Sequence, residues 1–206
     1  FEVLTAMREA TGGGLLMGIR MIADEGLPGG LLPQESKEIA QRIAASGLVD
    51  FLNLASSSLA TEAGLAKAIP PSGTPTAPYL GLVASIKNTV DVPVLHATRI
   101  TDVATARHAV AEGFVDLVGM TRGHMADPHL VNKLAAGQED RVRACVGASL
   151  CINRLHLGMD AVCIQNPATG RETFVPQLVT PSAGPRKKIV VVGAGPGGLE
   201  AARVCA

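Results

Sequence analysis

Residues 92–122 read Val92-Pro-Val-Leu-His96-Ala-Thr-Arg99-Ile-Thr-Asp102-Val103-Ala-Thr-Ala-Arg-His-Ala-Val-Ala-Glu112-Gly113-Phe-Val115-Asp-Leu-Val-Gly119-Met-Thr-Arg122. The short apolar run Val92 to His96 predicts a buried strand. Val103 to Glu112 has apolar residues at helical spacing and stops at Gly113. Val115 to Gly119 predicts a second strand, again followed by polar residues. A strand, a helix and a strand in this spacing form a right-handed crossover between parallel neighbours.

The same unit repeats outward. Val3, Leu4, Met7 and Ala10 give a helical stripe closed by Gly12-Gly13-Gly14, and Leu15 to Ile22 predicts a strand. Glu35 to Ser46 predicts a helix stopped by Gly47, Phe51 to Leu54 a strand, and Tyr79 to Asn88 a helix. Between the last two, Ser56 to Pro78 is rich in Ser, Gly and Pro and predicts a long loop. Pro128 to Ala136 predicts a further helix. Four strands, each followed by a helix, require a parallel α/β sheet, and both a closed barrel and an open doubly wound sheet satisfy that pattern.

The polar residues favour the barrel. Arg20, Asn53, His96 with Arg99, and Thr121 with Arg122 all fall at or just past the C-terminal ends of strands, the face on which barrel enzymes build their sites. Four units are half of a (β/α)8 TIM barrel, so its other half is expected upstream of Phe1, together with the catalytic acid or base. Leu16, Leu52, Val94 and Val118 are expected on the barrel's inner face. Phe1 and Ala206 both fall inside predicted helices, so the chain is expected to be an internal piece. Barrels often hold a phosphate with the loops after their seventh and eighth strands. Ala97-Thr98-Arg99 and Thr121-Arg122 fit that role, two surface arginines being the alternative.

Composition narrows the class. The 206 residues are 47% apolar, with 18 Lys plus Arg against 18 Asp plus Glu. No basic excess points to nucleic acid, and no apolar run reaches the roughly 18 residues that cross a bilayer. A cytoplasmic location and no membrane partner are the expectations.

After Gly137 the periodicity breaks, dividing the chain into 1–137, a cysteine segment and linker over 138–185, and 186–206. In the last, Lys187 to Val192 predicts a strand opening into Gly193-Ala-Gly195-Pro-Gly-Gly198 and a helix. This is G-x-G-x-x-G in the context that dinucleotide binding requires. It predicts the start of a Rossmann-like FAD/NAD(P)-binding domain, with Gly193, Gly195 and Gly198 at the pyrophosphate. Cys145, Cys151 and Cys163 fall within nineteen residues. Their spacing suits an iron–sulfur cluster short of one ligand, a zinc site completed by His156, or three unligated thiols.

Taken together, Gly18-Ile19-Arg20, Val94 to Asp102 and Asp116 to Arg122, followed by Ala126-Asp127-Pro128, resemble the old yellow enzyme superfamily. The similarity is to its multidomain branch of trimethylamine and histamine dehydrogenases, 2,4-dienoyl-CoA reductase and N-methylproline demethylase-like proteins. The resemblance implies an FMN-dependent oxidoreductase transferring hydride at flavin N5, with oxidative N-demethylation of an N-methylated amine or amino acid as the leading reaction. NAD(P)H-dependent reduction of an enone or enoyl-CoA is the rival. A phosphate-binding barrel isomerase or synthase, or a non-catalytic flavin-binding remnant, represents other classes.

By position the resemblance implies that Arg20 meets the flavin N1/O2 edge, a salt bridge to Asp24 or Glu25 being the alternative. It implies that Ala97, Thr98, Arg99, Thr121 and Arg122 hold the FMN phosphate, and that the glycines hold ADP or FAD. Cys145, Cys151 and Cys163 match three of four iron–sulfur ligands, the fourth position being Ala148. A usual glycine of the phosphate loop is Thr98. A small-molecule substrate, an electron-transfer partner and a homo-oligomer are the implied associations.

Overall fold

The computed structural model describes residues Phe1–Ala206. Its centre is one parallel sheet of four strands, β1 Gly18–Ile22, β2 Phe51–Ala55, β3 Val94–His96 and β4 Leu117–Val118, in sequence order. The register aligns Arg20 with Asn53, Asn53 with Leu95, and Leu95 with Leu117. Helices α1 Glu2–Ala10, α2 Pro33–Ala45, α4 Leu80–Lys87 and α5 Val103–Ala111 follow the pattern read from the sequence. So does α7 Leu130–Ala135, inside the expected Pro128 to Ala136, but two short helices do not: α3 Glu62–Ala68 lies inside the expected loop, and α6 Thr121–Ala126 precedes α7. Each has six or seven residues, too few for a periodic stripe. The Thr61 side chain caps the start of α3, accepting from Gly64 N–H at 3.0 Å.

Alternation along the strands assigns the two faces. Leu52, Leu54 and Val94 are wholly buried and pack with Ala40, Ile43, Val83, Ile86, Ala109 and Val115. Each Leu, Ile and Val of this set stabilises the fold by about 1.5–3 kcal/mol through removal from water. Arg20, Asn53, Leu95 and Leu117 lie on the opposite face, which is exposed or half-buried. The inner-face expectation is therefore corrected: Leu52 and Val94 point to the helices, and Val118 packs partly against the same cluster. Leu16 is not in a strand at all and is 83% exposed. Pairing starts at Gly18, opposite Phe51. A Cβ at position 18 would stand 2.2 Å from the Phe51 ring, so glycine admits that ring over the strand.

The sheet is open at β1 and β4. Beside β1 an apolar groove of about 350 Å³ runs between α1 and α2, lined by Phe1, Leu4, Ile19, Ile39 and Ile43. One polar clip crosses this region. Arg8 Nη2 bonds Asp50 Oδ2 at 2.8 Å, and the same oxygen accepts Met17 N–H at 2.7 Å. That N–H and Arg8 hold the Asp50 carboxyl below its ordinary range.

The cysteine segment docks back on the sheet domain. Ala168, Asn166 and Thr169 are buried, and the last two donate from their side chains to Met125 O at 2.9 and 3.2 Å. Its helix α8 spans Leu150–His156. The terminal helix α9 spans Pro196–Cys205, but the expected strand Lys187 to Val192 does not form. Strands exist by pairing, and this segment pairs with no other, leaving Val190 and Val192 exposed. No helix is long and apolar enough to cross a membrane.

Candidate functional site

Arg99, Thr121 and Arg122 fall just past the C-terminal ends of β3 and β4, whereas Arg20 and Asn53, expected at strand ends, are instead the central residues of β1 and β2. Arg20 sits on the open face of the sheet, exposed, with neither an ion pair nor a hydrogen bond to the chain. The alternative partners are engaged elsewhere: the Asp24 carboxylate accepts Gly26 N–H and that of Glu25 accepts Leu31 N–H, both at 2.8 Å. Arg20 therefore remains an uncompensated cation beside Asn53.

His96 ends β3 wholly buried. Its Nδ1 lies 2.7 Å from Leu54 O, and Nε2 has no partner in the chain. Burial pushes its pKa down, the bond to Leu54 opposes this, and the Arg20 charge adds to the depression. The imidazole is therefore neutral, with the proton on Nδ1 where the carbonyl can accept it.

Beyond His96 the chain turns sharply. The left-handed residue is Arg99, at φ +54°, and not Thr98, so a β-branched residue at the usual glycine position carries no backbone strain. The main-chain N–H groups of Ala97, Thr98, Arg99 and Met120 donate to no group of the chain. Thr121 and Arg122 open α6, whose first N–H groups also lack intrahelical acceptors. A Cβ at Gly119 would stand 2.8 Å from that of Ala97, so glycine lets the β3 and β4 ends approach. Free N–H groups on two adjacent loops with two arginines form an anion-binding arrangement.

Both guanidiniums are oriented from the loop after α3. Arg99 Nε donates to Thr74 O at 2.7 Å and its Nη1 to Pro70 O at 3.3 Å, while Arg122 Nη1 donates to the same Pro70 O at 3.0 Å. Neither meets a carboxylate. The sequence offered no signal for this, because main-chain carbonyls carry no residue identity.

Behind the loops, Asp127 is wholly buried. Its carboxylate accepts from Lys133 Nζ at 2.5 Å, Arg143 N–H at 2.9 Å and His129 N–H at 3.1 Å. Burial opposes ionisation, but Lys133 and these N–H groups outweigh it and depress the pKa. Asp127 thus ties α6 and α7 to the start of the cysteine segment.

The cysteines are not assembled. No three Cys, His, Asp or Glu side chains form a group that could hold a metal ion. Cys145 Sγ instead accepts Gly147 N–H at 3.4 Å, Cys151 lies in the first turn of α8, and Cys163 lies outside any helix or strand. Neither the iron–sulfur nor the His156-completed zinc geometry is formed by these side chains, and Ala148 supplies no ligand atom.

At the far end, Gly193 has φ +105°, and a Cβ at Gly198 would stand 2.0 Å from Gly193 O and 3.4 Å from Val191. The chain therefore turns tightly at Gly193 and leaves no room for a side chain at Gly198, with Gly195 as the cap of α9.

Residues 1–141 match the NADH:flavin oxidoreductase / NADH oxidase family. Over 204 residues the chain is 48% identical to a protein of Rhizobium meliloti described as a probable N-methylproline demethylase, covering 99% of this chain and 30% of the relative. It is also 48% identical over 206 residues to N,N-dimethylglycine/sarcosine dehydrogenase of Chromohalobacter salexigens, again with 30% of the relative covered. Among solved structures, 2-naphthoyl-CoA reductase superposes with a TM-score of 0.88 at 27% identity, over 98% of this chain and 30% of that one. The chain thus spans about a third of the length of these relatives.

Proposed function

The chain belongs to the NADH:flavin oxidoreductase / NADH oxidase family, and on that premise we propose that it forms the C-terminal half of an FMN-binding (β/α)8 barrel in a longer oxidoreductase. The reaction proposed is oxidative N-demethylation of an N-methylated amine or amino acid. The N-methyl group is oxidised to an imine, or to an iminium where the amine is tertiary, and water hydrolyses it to the demethylated amine and formaldehyde. FMN, when bound, supplies the hydride acceptor at N5.

The observation that carries this reading is the set of free N–H groups at Ala97, Thr98, Arg99 and Met120 beside two arginines that face no carboxylate. In it, Thr98, Arg99, Thr121 and Arg122 hold a phosphate. Arg20, unpaired on the open face two strands away from β3, meets negative charge that grows at a flavin N1/O2 edge on reduction. His96, neutral and bound to Leu54 O, fixes the end of β3 from which the phosphate loop departs. Gly193, Gly195 and Gly198 open a unit that would hold the pyrophosphate of FAD or ADP. The substrate class rests on the two relatives of 48% identity.

A second reading, NAD(P)H-dependent reduction of an enone or enoyl-CoA, is favoured by the structural likeness to a naphthoyl-CoA reductase. Anaerobic mixing of the full-length protein with N-methylproline, sarcosine or dimethylglycine separates the two. Bleaching of a flavin band near 450 nm with stoichiometric formaldehyde is the expected result. Bleaching by NADH alone, with turnover of an enone, would transfer the assignment to the reductase. A colourless protein would end both.

A further inference from the structure

The two arginines of the strand-end loops are held in an unusual way. Pro70 O accepts from both, at 3.3 Å from Arg99 and 3.0 Å from Arg122, and Thr74 O accepts Arg99 Nε at 2.7 Å. These acceptors are neutral. They fix direction without cancelling charge, and each guanidinium keeps part of its five-donor fork free. An arginine serving only the fold would be stabilised more by a carboxylate, and neither arginine has one.

The loop that provides these carbonyls is itself held from the cysteine segment. Ser72 N–H donates to Gly147 O at 2.8 Å. Gly147 has φ +71°, and a Cβ there would stand 2.6 Å from Arg99 Nη1 and 3.0 Å from Ser72 N. The turn at Gly147 is closed by its N–H to Cys145 Sγ. Position 147 is thus constrained twice, by backbone conformation and by the guanidinium packed against it.

We infer that the loop 70–74 and the turn 145–147 form one positioning clamp that aims Arg99 and Arg122 at a phosphate, so that the cysteine segment sets phosphate selectivity through its backbone rather than through a metal. This rests on the proposal that those arginines meet the FMN phosphate. Gly147, Ser72 and Pro70 are positioning residues, acting through the arginines.

The test is titration of the full-length apoprotein with FMN and with riboflavin, which differ only in the phosphate. Gly147→Ala, and Ser72→Pro, which removes the N–H to Gly147, are each expected to weaken FMN about tenfold. Riboflavin affinity stays unchanged, so the ratio of the two falls. A merely structural defect would lower both affinities together, and that outcome overturns the clamp. Leu157→Ser, exposed beyond α8, keeps the ratio. Chelator treatment also leaves the ratio as it is, and its collapse on chelation would return the role to a metal. If Arg99→Ala and Arg122→Ala lower the ratio while Gly147→Ala and Ser72→Pro do not, the clamp falls and the flavin reading stands. If the arginine variants leave it unchanged, the phosphate assignment itself fails, and the clamp with it.

Discussion

Lys133 Nζ lies 2.5 Å from Asp127 Oδ2, and that carboxylate is wholly buried. Removing one member of such a pair strands the other, at a cost of about 3–5 kcal/mol. Lys133→Met is therefore expected to destabilise the folded protein by about 3 kcal/mol. Adding Asp127→Asn to it should recover part of the loss, because the amide oxygen still accepts Arg143 N–H without a charge. Denaturant midpoints of the two single variants and the double variant measure this cycle. Additive losses would show that the pair is not coupled.

Acid should destabilise the protein in two windows. The pKa of buried His96 is depressed, so its contribution is complete above the unfolded value, about 6.5, and is lost as pH falls towards the folded one. Asp127 is depressed as well, so its contribution is complete above about 3.9 and is lost as pH falls further. In both cases the unfolded chain binds the proton first. His96→Asn, which cannot titrate, should flatten the upper window and leave the lower one. Unfolding midpoints between pH 8 and 3 follow both, and an unchanged upper slope in the variant would remove His96 as its source.

Arg20 and Arg122 should separate reduction from retention. Arg20→Ala is expected to lower the flavin midpoint potential while FMN stays bound, because Arg20 meets charge that appears on reduction. Arg122→Ala is expected to release FMN, because phosphate charge is always present. Spectroelectrochemistry and filtration of the two full-length variants read these effects. Equal FMN loss with an unchanged potential in the Arg20 variant would sink its assignment.

Residues 1–206 expressed alone should form no monomeric native domain. The sheet leaves unpaired N–H and C=O groups along β1 and β4, and its Arg20–Leu117 face is uncovered. Open edges are templates for pairing, so dimers or larger species are expected. Size-exclusion chromatography with amide hydrogen exchange decides the point, and a monomer with slowly exchanging strand amides and tight FMN would refute it.

The sequence by itself determined the parallel α/β order. Short apolar runs and period-3.6 stripes are local patterns, and four runs and five stripes before Gly137 were long enough to read. It also placed Arg99 and Arg122 just past strand ends, because a charge following an apolar run is visible in one dimension; Arg20 misled that reading, since β1 continues through it to Ile22. Only the tertiary structure decided which strand face meets the helices: Leu52 and Arg20 sit in equally apolar runs, and only their register separates their faces. It alone showed that Lys187 to Val192 remains unpaired, since a strand is defined by a neighbour and not by its own residues. The hold on the two arginines was illegible for a similar reason. Pro70 and Thr74 act through carbonyls that every residue carries, and Gly147 matters for the space in front of it, which folding brings to Arg99 from forty-eight residues away along the chain.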